Sequence, residues 1–373
     1  MNLPVAKFTC LACGRTEYRM SSLGFGELLK GECRCGGDMA ITGRGTPQEL
    51  GGLLELVCKH FEILDFRGTE MGMEAEVESS DPKRSFLSLS DELEPRGYFV
   101  IMRKGEGIRI FLAKLPPSRT EKIWVNLLLL VATAGTTLLA GLYLFKTLAS
   151  AFVFSSSLMV ILGAHEAGHR LAAKRNRTEI SVPYFIPAPP LLGTFGAVIV
   201  AKKPVRTKEA MMEMGFLGPM LGFLLALLAL LFGLLQPASV GGVPLPMLPA
   251  LLLLLTRNPS IQLNPLLLSG SAMLMVTALN LLPAGQLDGG HIFRGITSAS
   301  QHYKLTRLLG FSLLFTGFIF PYCWAWGLLI LLLFNQPHPG ALDDLSEVST
   351  KYRKMAAVSL LILLLCLPIP TKL

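Results

Sequence analysis

Acidic side chains are scarce where this chain is most apolar. Between Glu213 and Asp343 there is a single carboxylate, Asp288, and residues 149–164 carry no charge at all. Charged residues make up 16% of the 373 residues against 51% hydrophobic ones. The shortage is uneven: residues 1–121 are mixed and polar, whereas residues 123–370 are dominated by leucine-rich runs. That distribution excludes a wholly soluble protein and predicts a polytopic membrane protein with a soluble N-terminal portion. Cysteine is sparse too. There are seven, an odd number, with four in a metal-like pattern, which excludes a disulfide framework. The opening residues, MNLPVAKFTC, have neither the apolar core of a secretory signal nor the Arg/Ser-rich character of a transit peptide, so a prokaryotic cell membrane is the expected location. Much of the net charge of +8 lies in loops beside the apolar runs, where it orients a membrane protein. Nucleic acid is not expected as a partner; the lipid bilayer is, and self-association is left open.

The soluble portion divides by composition. Residues 1–45 hold Cys10-x-x-Cys13 and Cys33-x-Cys35, with Gly14, Gly36 and Gly37 to permit tight knuckle turns. The spacing predicts a four-cysteine ribbon around a structural zinc, the alternative being four reduced thiols. Residues 46–118 read as a small cytoplasmic α+β domain. It has a helix over Pro47–His60, a second over Phe86–Leu93, and a strand pair, Tyr98–Arg103 and Ile108–Leu115, joined at Lys104-Gly-Glu-Gly. Cys58 is expected in its core, and it carries no catalytic constellation.

Residues 119–373 form the membrane domain. Apolar runs predict spans near 123–145, 150–172, 211–235, 264–283, 305–321, 323–335 and 355–369, about 6–7 transmembrane helices in all. Met247–Thr256 is too short to cross alone and either re-enters or extends the fourth span. Arg119 and Lys122, the cluster Arg170 to Arg177, Lys202 to Lys208, and Lys351 to Lys354 fall on one side if seven spans alternate. That side is cytoplasmic and includes the N-terminal domain.

The second span ends in His165-Glu166-Ala-Gly-His169. Residues four apart share one helix face, so both imidazoles can reach one metal ion, while Glu166 points about 100° round the helix towards a water on that metal. Zinc brings such a water to a pKa of about 7, and a carboxylate beside it can carry a proton from the attacking water to the leaving amine. A satisfied structural cluster is the alternative, although a metal accounts for all three residues together. Zinc in a catalytic site needs a third protein ligand. Asp288 fits, since alternating spans bring it to the depth and side of His169. An Asp before Gly289-Gly290 also suits a turn or helix cap. Gly285, Gly289 and Gly290 let the backbone break helix there, and Pro283 ends or kinks the span. Leu191–Val200, with Gly193, Thr194, Phe195 and Gly196, is rich in β-formers and follows Pro183, Pro187, Pro189 and Pro190. It reads equally as an extended edge for a substrate strand or as a plain re-entrant hairpin. Gly215, Gly218 and Gly222 read as close helix packing. His60, His302 and His338 are expected at the surface or in loops, and His291 is not counted as a ligand.

These motifs, His165-Glu-Ala-Gly-His169 with Asn280-Leu-Leu-Pro-Ala-Gly-Gln-Leu-Asp288-Gly-Gly, resemble the site-2 protease family of intramembrane zinc metalloproteases. Pro183-Tyr-Phe-Ile-Pro, Leu192–Ile199, Leu217-Gly-Pro219 and Leu342–Val348 resemble the branch of the plant chloroplast proteases and their prokaryotic relatives. The resemblance covers roughly residues 120–370 and does least to explain the cysteine ribbon. It implies hydrolysis of peptide bonds within or beside transmembrane helices of membrane-protein substrates. His165, His169 and Asp288 would bind zinc, Glu166 would act as general base and acid, and Asn280 would steady the oxyanion. Asn280 read alone could equally hydrogen-bond a helix backbone. Two other classes stay open, a non-proteolytic adaptor on a protease scaffold and a zinc-binding transporter. Intact Glu166 disfavours the first, and the clustering of ionisable residues at one locus disfavours the second.

Overall fold

The computed structural model describes residues 5–21, 28–44, 48–69, 72–115, 121–189, 192–236, 240–241, 262–334 and 336–367. It falls into two compact units. One comprises Met1–Ser118 with Leu342–Glu347, the other Arg119–Ala341 with Val348–Leu373.

The first unit is built on one eight-stranded antiparallel sheet. Strands β1 (Val5–Cys10), β2 (Thr16–Met20), β3 (Leu28–Leu29), β4 (Met39–Arg44), β5 (Glu62–Thr69), β6 (Gly72–Glu78), β7 (Tyr98–Lys104) and β8 (Ile108–Lys114) run in the order β3-β4-β1-β2-β5-β6-β8-β7. Pairing of β2 with β5, Tyr18 opposite Gly68, carries the sheet from the cysteine-containing strands into the following ones. The β5–β6 hairpin has no counterpart in the sequence reading. Its alternation is visible in β6, where Met73, Ala75 and Val77 face inward and Glu74, Glu76 and Glu78 outward.

Helices α1 (Gln48–His60) and α2 (Pro82–Leu93) add Leu53, Leu54, Val57, Phe86, Leu89 and Leu93 to the core of this unit. Asp81 caps α2 by accepting from Arg84 N–H, with Pro82 in the first turn. Cys58, expected in the core, is exposed; it lies on α1 away from the stripe Leu50, Leu53, Leu54, Val57. The far edge of the sheet is β7. There Leu342–Asp344 joins in parallel, with Met102 N–H donating to the Leu342 carbonyl and Asp344 N–H to that of Met102. Leu342 is buried in the same core. Sequence distance hides this strand, which arrives from the other end of the chain.

The second unit is helical. Its helices are α3 (Ile123–Phe145), α4 (Leu148–Arg175), α5 (Lys208–Leu234), α6 (Pro265–Asn280), α7 (Asp288–Ile296), α8 (Ala299–Thr316), α9 (Tyr322–Leu333) and α10 (Thr350–Cys366). Starts follow local chemistry. Thr147, Thr207 and Asn264 each accept from an N–H of the first turn, and Ser298 with Gln301 completes a capping box. Among the described residues α3, α4 and α5 are long and apolar enough to cross a membrane, while Pro265–Asn280 and Cys323–Leu333 are shorter apolar helices. The region Met247–Thr256 lies outside the described residues.

Large apolar side chains face outward, among them Trp124, Leu127, Val131 and Tyr143 on α3, while hydroxyls and amides turn inward. Thr137 Oγ1 lies 2.7 Å from Ser155 Oγ, Ser157 Oγ 2.7 Å from Ser269 Oγ, and Asn264 Nδ2 2.6 Å from the Gly233 carbonyl. Polar inside and apolar outside is the arrangement that hydrocarbon, rather than water, stabilises. Between α4 and α5 the chain forms a two-stranded antiparallel sheet, β9 (Tyr184–Pro187) with β10 (Thr194–Val198).

Candidate active site

Helix α4 carries His165, Glu166 and His169 on its C-terminal half, the first two buried and the third half-buried. Seventeen residues of apolar and small side chains precede them in the helix, so it is anchored by packing before its polar segment begins. Loop 281–287 follows α6, and Asp288 is the first residue of α7. The cap of α7 is Leu287, with no side-chain bond. The Asp288 carboxylate therefore does not cap its helix. It turns to the histidines, with Oδ2 3.3 Å from His165 Nε2 and 3.5 Å from His169 Nε2.

The two Nε2 atoms are 3.0 Å apart. A triangle with these edges has a point about 2 Å from every corner, the length of Zn–N and Zn–O bonds, and a tetrahedral zinc would separate its ligands by about 3.3 Å. The donor set fits that ion. His169 Nδ1–H donates to the Met214 carbonyl at 2.8 Å, which leaves the Nε2 lone pair for the metal. His165 Nδ1 is buried without a partner among the described residues. Asn280, at the end of α6, places Nδ2 3.5 Å from His165 Nε2, beside the same point. Glu166 is 5% exposed and stands outside the converging group of three.

What brings the elements close enough is glycine. A methyl group at residue 218 would overlap the His169 imidazole, and one at residue 168 would overlap the Leu217 carbonyl. At Gly222 it would lie 3.1 Å from His165 Nδ1, and at Gly215 it would overlap the Asp288 carbonyl. Gly215, Gly218 and Gly222 are thus the floor of the site as well as a packing stripe. Gly289 and Gly290 lie against the carbonyls of Leu281 and Gly285, which folds the start of α7 back onto its own loop.

His302 and His338, expected at the surface or in loops, are buried at 1% and 5% exposure, and His338 bonds to His291. Their spacing in sequence follows no ligand motif, so nothing local signals the cluster. His60, at the end of α1, bonds to Glu92.

Gly193 immediately precedes β10, and Thr194, Phe195 and Gly196 open it. Gly193 has φ +80° and its carbonyl accepts from Thr136 Oγ1 at 2.6 Å. Phe195 is 74% exposed.

A second cluster sits in the first unit. Cys10, Cys13, Cys33 and Cys35 converge, with Cys10 Sγ 3.6 Å from Cys35 Sγ and Cys13 Sγ 3.6 Å from Cys33 Sγ. A zinc tetrahedron with 2.3 Å arms has edges of about 3.8 Å. Gly14 and Gly36 take positive φ in the two knuckles, and a methyl on Gly37 would press to 3.0 Å from Cys10 Sγ. The Cys13 N–H holds the Cys10 thiol down to about 6, which favours the thiolate that a metal needs.

Residues 153–320 match the sequence profile of peptidase family M50. Over 236 residues the chain is 34% identical to the probable zinc metalloprotease EGY2, chloroplastic, of Arabidopsis thaliana, which is 57% of this chain and 40% of that protein. It is 31% identical over 236 residues to the probable zinc metalloprotease EGY1, chloroplastic, of Oryza sativa subsp. japonica, 58% of this chain and 40% of the relative. To the zinc metalloprotease MJ0392 of Methanocaldococcus jannaschii it is 29% identical over 152 residues, 40% of this chain and 36% of the relative. The chain spans about two fifths of the length of these relatives. No solved structure matches.

Proposed function

We propose that this chain, whose residues 153–320 match peptidase family M50, is an intramembrane zinc metalloprotease of the site-2 protease family. The observation that carries the proposal is the convergence of His165, His169 and Asp288, with Glu166 next to the first ligand on the same helix. In this reading the three residues hold zinc. The ion supplies Lewis-acid polarisation of the scissile carbonyl and acidification of water. Glu166 takes the proton from the attacking water and returns it to the leaving amine. Asn280 Nδ2, beside the Nε2 of His165, donates to the developing oxyanion. The buried surroundings strengthen each of these interactions.

Substrates in this proposal are transmembrane proteins cut within or near a helix. The substrate helix unwinds locally and lies as a strand along β10, whose pairing with β9 and outward Phe195 support an added strand. The protein is multi-pass in a prokaryotic cell membrane, with six or seven spans. The shorter apolar helices α6 and α9 and the apolar C-terminal halves of α8 and α10 complete a set begun by α3, α4 and α5. Residues 1–118 are cytoplasmic, and the four cysteines hold a structural zinc that shapes β1, β4 and their turns.

The test is cleavage of single-span substrates by the full chain in lipid, comparing wild type, E166Q and chelated protein. Zinc-dependent cleavage by wild type alone, with zinc retained in E166Q, is the expected result. Equal cleavage by wild type and E166Q would sink the mechanism.

A further inference from the structure

Three imidazoles surround the turn of α7 that follows Asp288. Gly340 N–H donates to His338 Nδ1 at 2.9 Å. That nitrogen therefore carries no proton, and in the neutral ring the proton is on Nε2. The His338 Nε2 lies 2.9 Å from His291 Nδ1. It is the donor of that bond, so the His291 proton sits on its own Nε2. The rings of His291 and His338 meet edge-on with centroids 4.9 Å apart, and His302 stands against His338 at 5.5 Å. His302 Nε2 has no partner among the described residues.

Three buried histidines invite a metal, but the bonds argue otherwise. Ligation through His338 Nε2 needs a lone pair there while Nδ1 accepts from Gly340, which would leave the ring with no proton at all. A ring whose two nitrogens are acceptor and donor is a link in a directed hydrogen-bond chain. That link ends on α7, on the ring of residue 291.

Backbone packing against Gly215 of α5 and the carbonyls of Leu281 and Gly285 holds this turn, but its own side chains add few bonds. Its cap makes no side-chain bond, Gly289 and Gly290 have no side chains, and the helix is nine residues long. Such a helix is marginal alone. We propose that His338 is a positioning residue that braces the first turn of α7 and so holds the Asp288 carboxylate at the metal-binding point. The inference rests on the metalloprotease reading above. The outer partners of a metal ligand set its orientation, and their loss typically weakens metal binding about 10–100-fold.

The experiment is zinc competition against a chelator, using the purified full chain. The binding step that disappears in D288A identifies the site. H338F keeps a ring and removes both nitrogens, whereas the amide of H338Q can still donate to His291 Nδ1. The expected result is zinc binding about 10–100-fold weaker in H338F, with recovery towards wild type in H338Q. Cleavage by H338F should return as zinc is raised, since the defect is in ligand placement. Undiminished zinc affinity in a folded H338F, or an equal loss in H338Q, would overturn the inference. Should H338F not fold, nitrogen-15 spectra of the imidazoles in wild type carry the test. His291 protonated on Nε2 and His338 protonated on Nε2 support the brace; a proton on His291 Nδ1 overturns it. A wild-type chain with no zinc step sensitive to D288A would instead overturn the metalloprotease reading.

Discussion

A methyl group on Gly218 would occupy the space of the His169 imidazole. The ring would have to turn away, and its Nδ1–H would lose the Met214 carbonyl. G218A is therefore expected to lower cleavage about 100-fold, the order produced by an ångström of misplacement at a reacting centre. Zinc content should fall with it, and parallel assays of zinc and cleavage check both. G163A, where a methyl meets nothing within 4 Å, is the control and should stay near wild type. At this scale the ligand candidates were legible, because a zinc site demands a few atom types at a fixed helical spacing. The glycines opposite them were not, because glycine in an apolar helix serves packing in many ways. The buried pair His302 and His338 was invisible for a related reason: their partners lie on other elements.

Among the elements, the added strand at β7 makes the sharpest prediction. Asp343 is 1% exposed and its Oδ1 accepts from the N–H groups of Leu345 and Ser346 at 3.0 and 2.9 Å. D343A would strand two amides and is expected to destabilise the docked segment by about 1–3 kcal/mol. Hydrogen exchange reads it directly: the Met102 amide, bonded to the Leu342 carbonyl, should exchange faster, while amides in the β5–β6 hairpin should not. An unchanged Met102 rate would show that the strand is held by something else. For the cysteine knuckles, C10S should release one zinc per chain and leave the D288A-sensitive zinc in place, because each site binds through its own ligands. Metal analysis of C10S, D288A and the double variant checks this.

For the whole molecule, acid is the relevant stress on the first unit. The carboxyls of Glu32, Glu49 and Glu92 are held below their ordinary 4.5, by hydrogen bonds from Arg19, Tyr98 and His60 respectively. A depressed carboxyl contributes stability that is complete above its unfolded value and is lost as pH falls through its folded value. The melting temperature of this unit should therefore hold steady above about pH 5 and decline below about 4.5. Calorimetry of the full chain across that range measures it. A melting temperature that rises on acidification would contradict these pairings. All three carboxyls are near the surface, so added salt should shrink the effect.

The sequence by itself pointed to an apolar medium and to the side chains that converge. Long uncharged runs need a hydrocarbon surround, and His165, Glu166, His169 and Asp288 are residue types whose burial in such a surround calls for a metal or a partner. Helices α1 and α2 and the β7–β8 hairpin were also legible, because their bonds are local and their periodicity is short. Tertiary structure alone decided the rest. It joined β2 to β5, brought residues 342–344 to strand β7, about 240 residues earlier in the chain, aligned Gly215, Gly218 and Gly222 with His165, His169 and Asp288, and set His291, His302 and His338 edge-on to one another. Each of these depends on contacts between segments far apart in the chain, and non-local pairing leaves no periodic trace in either partner.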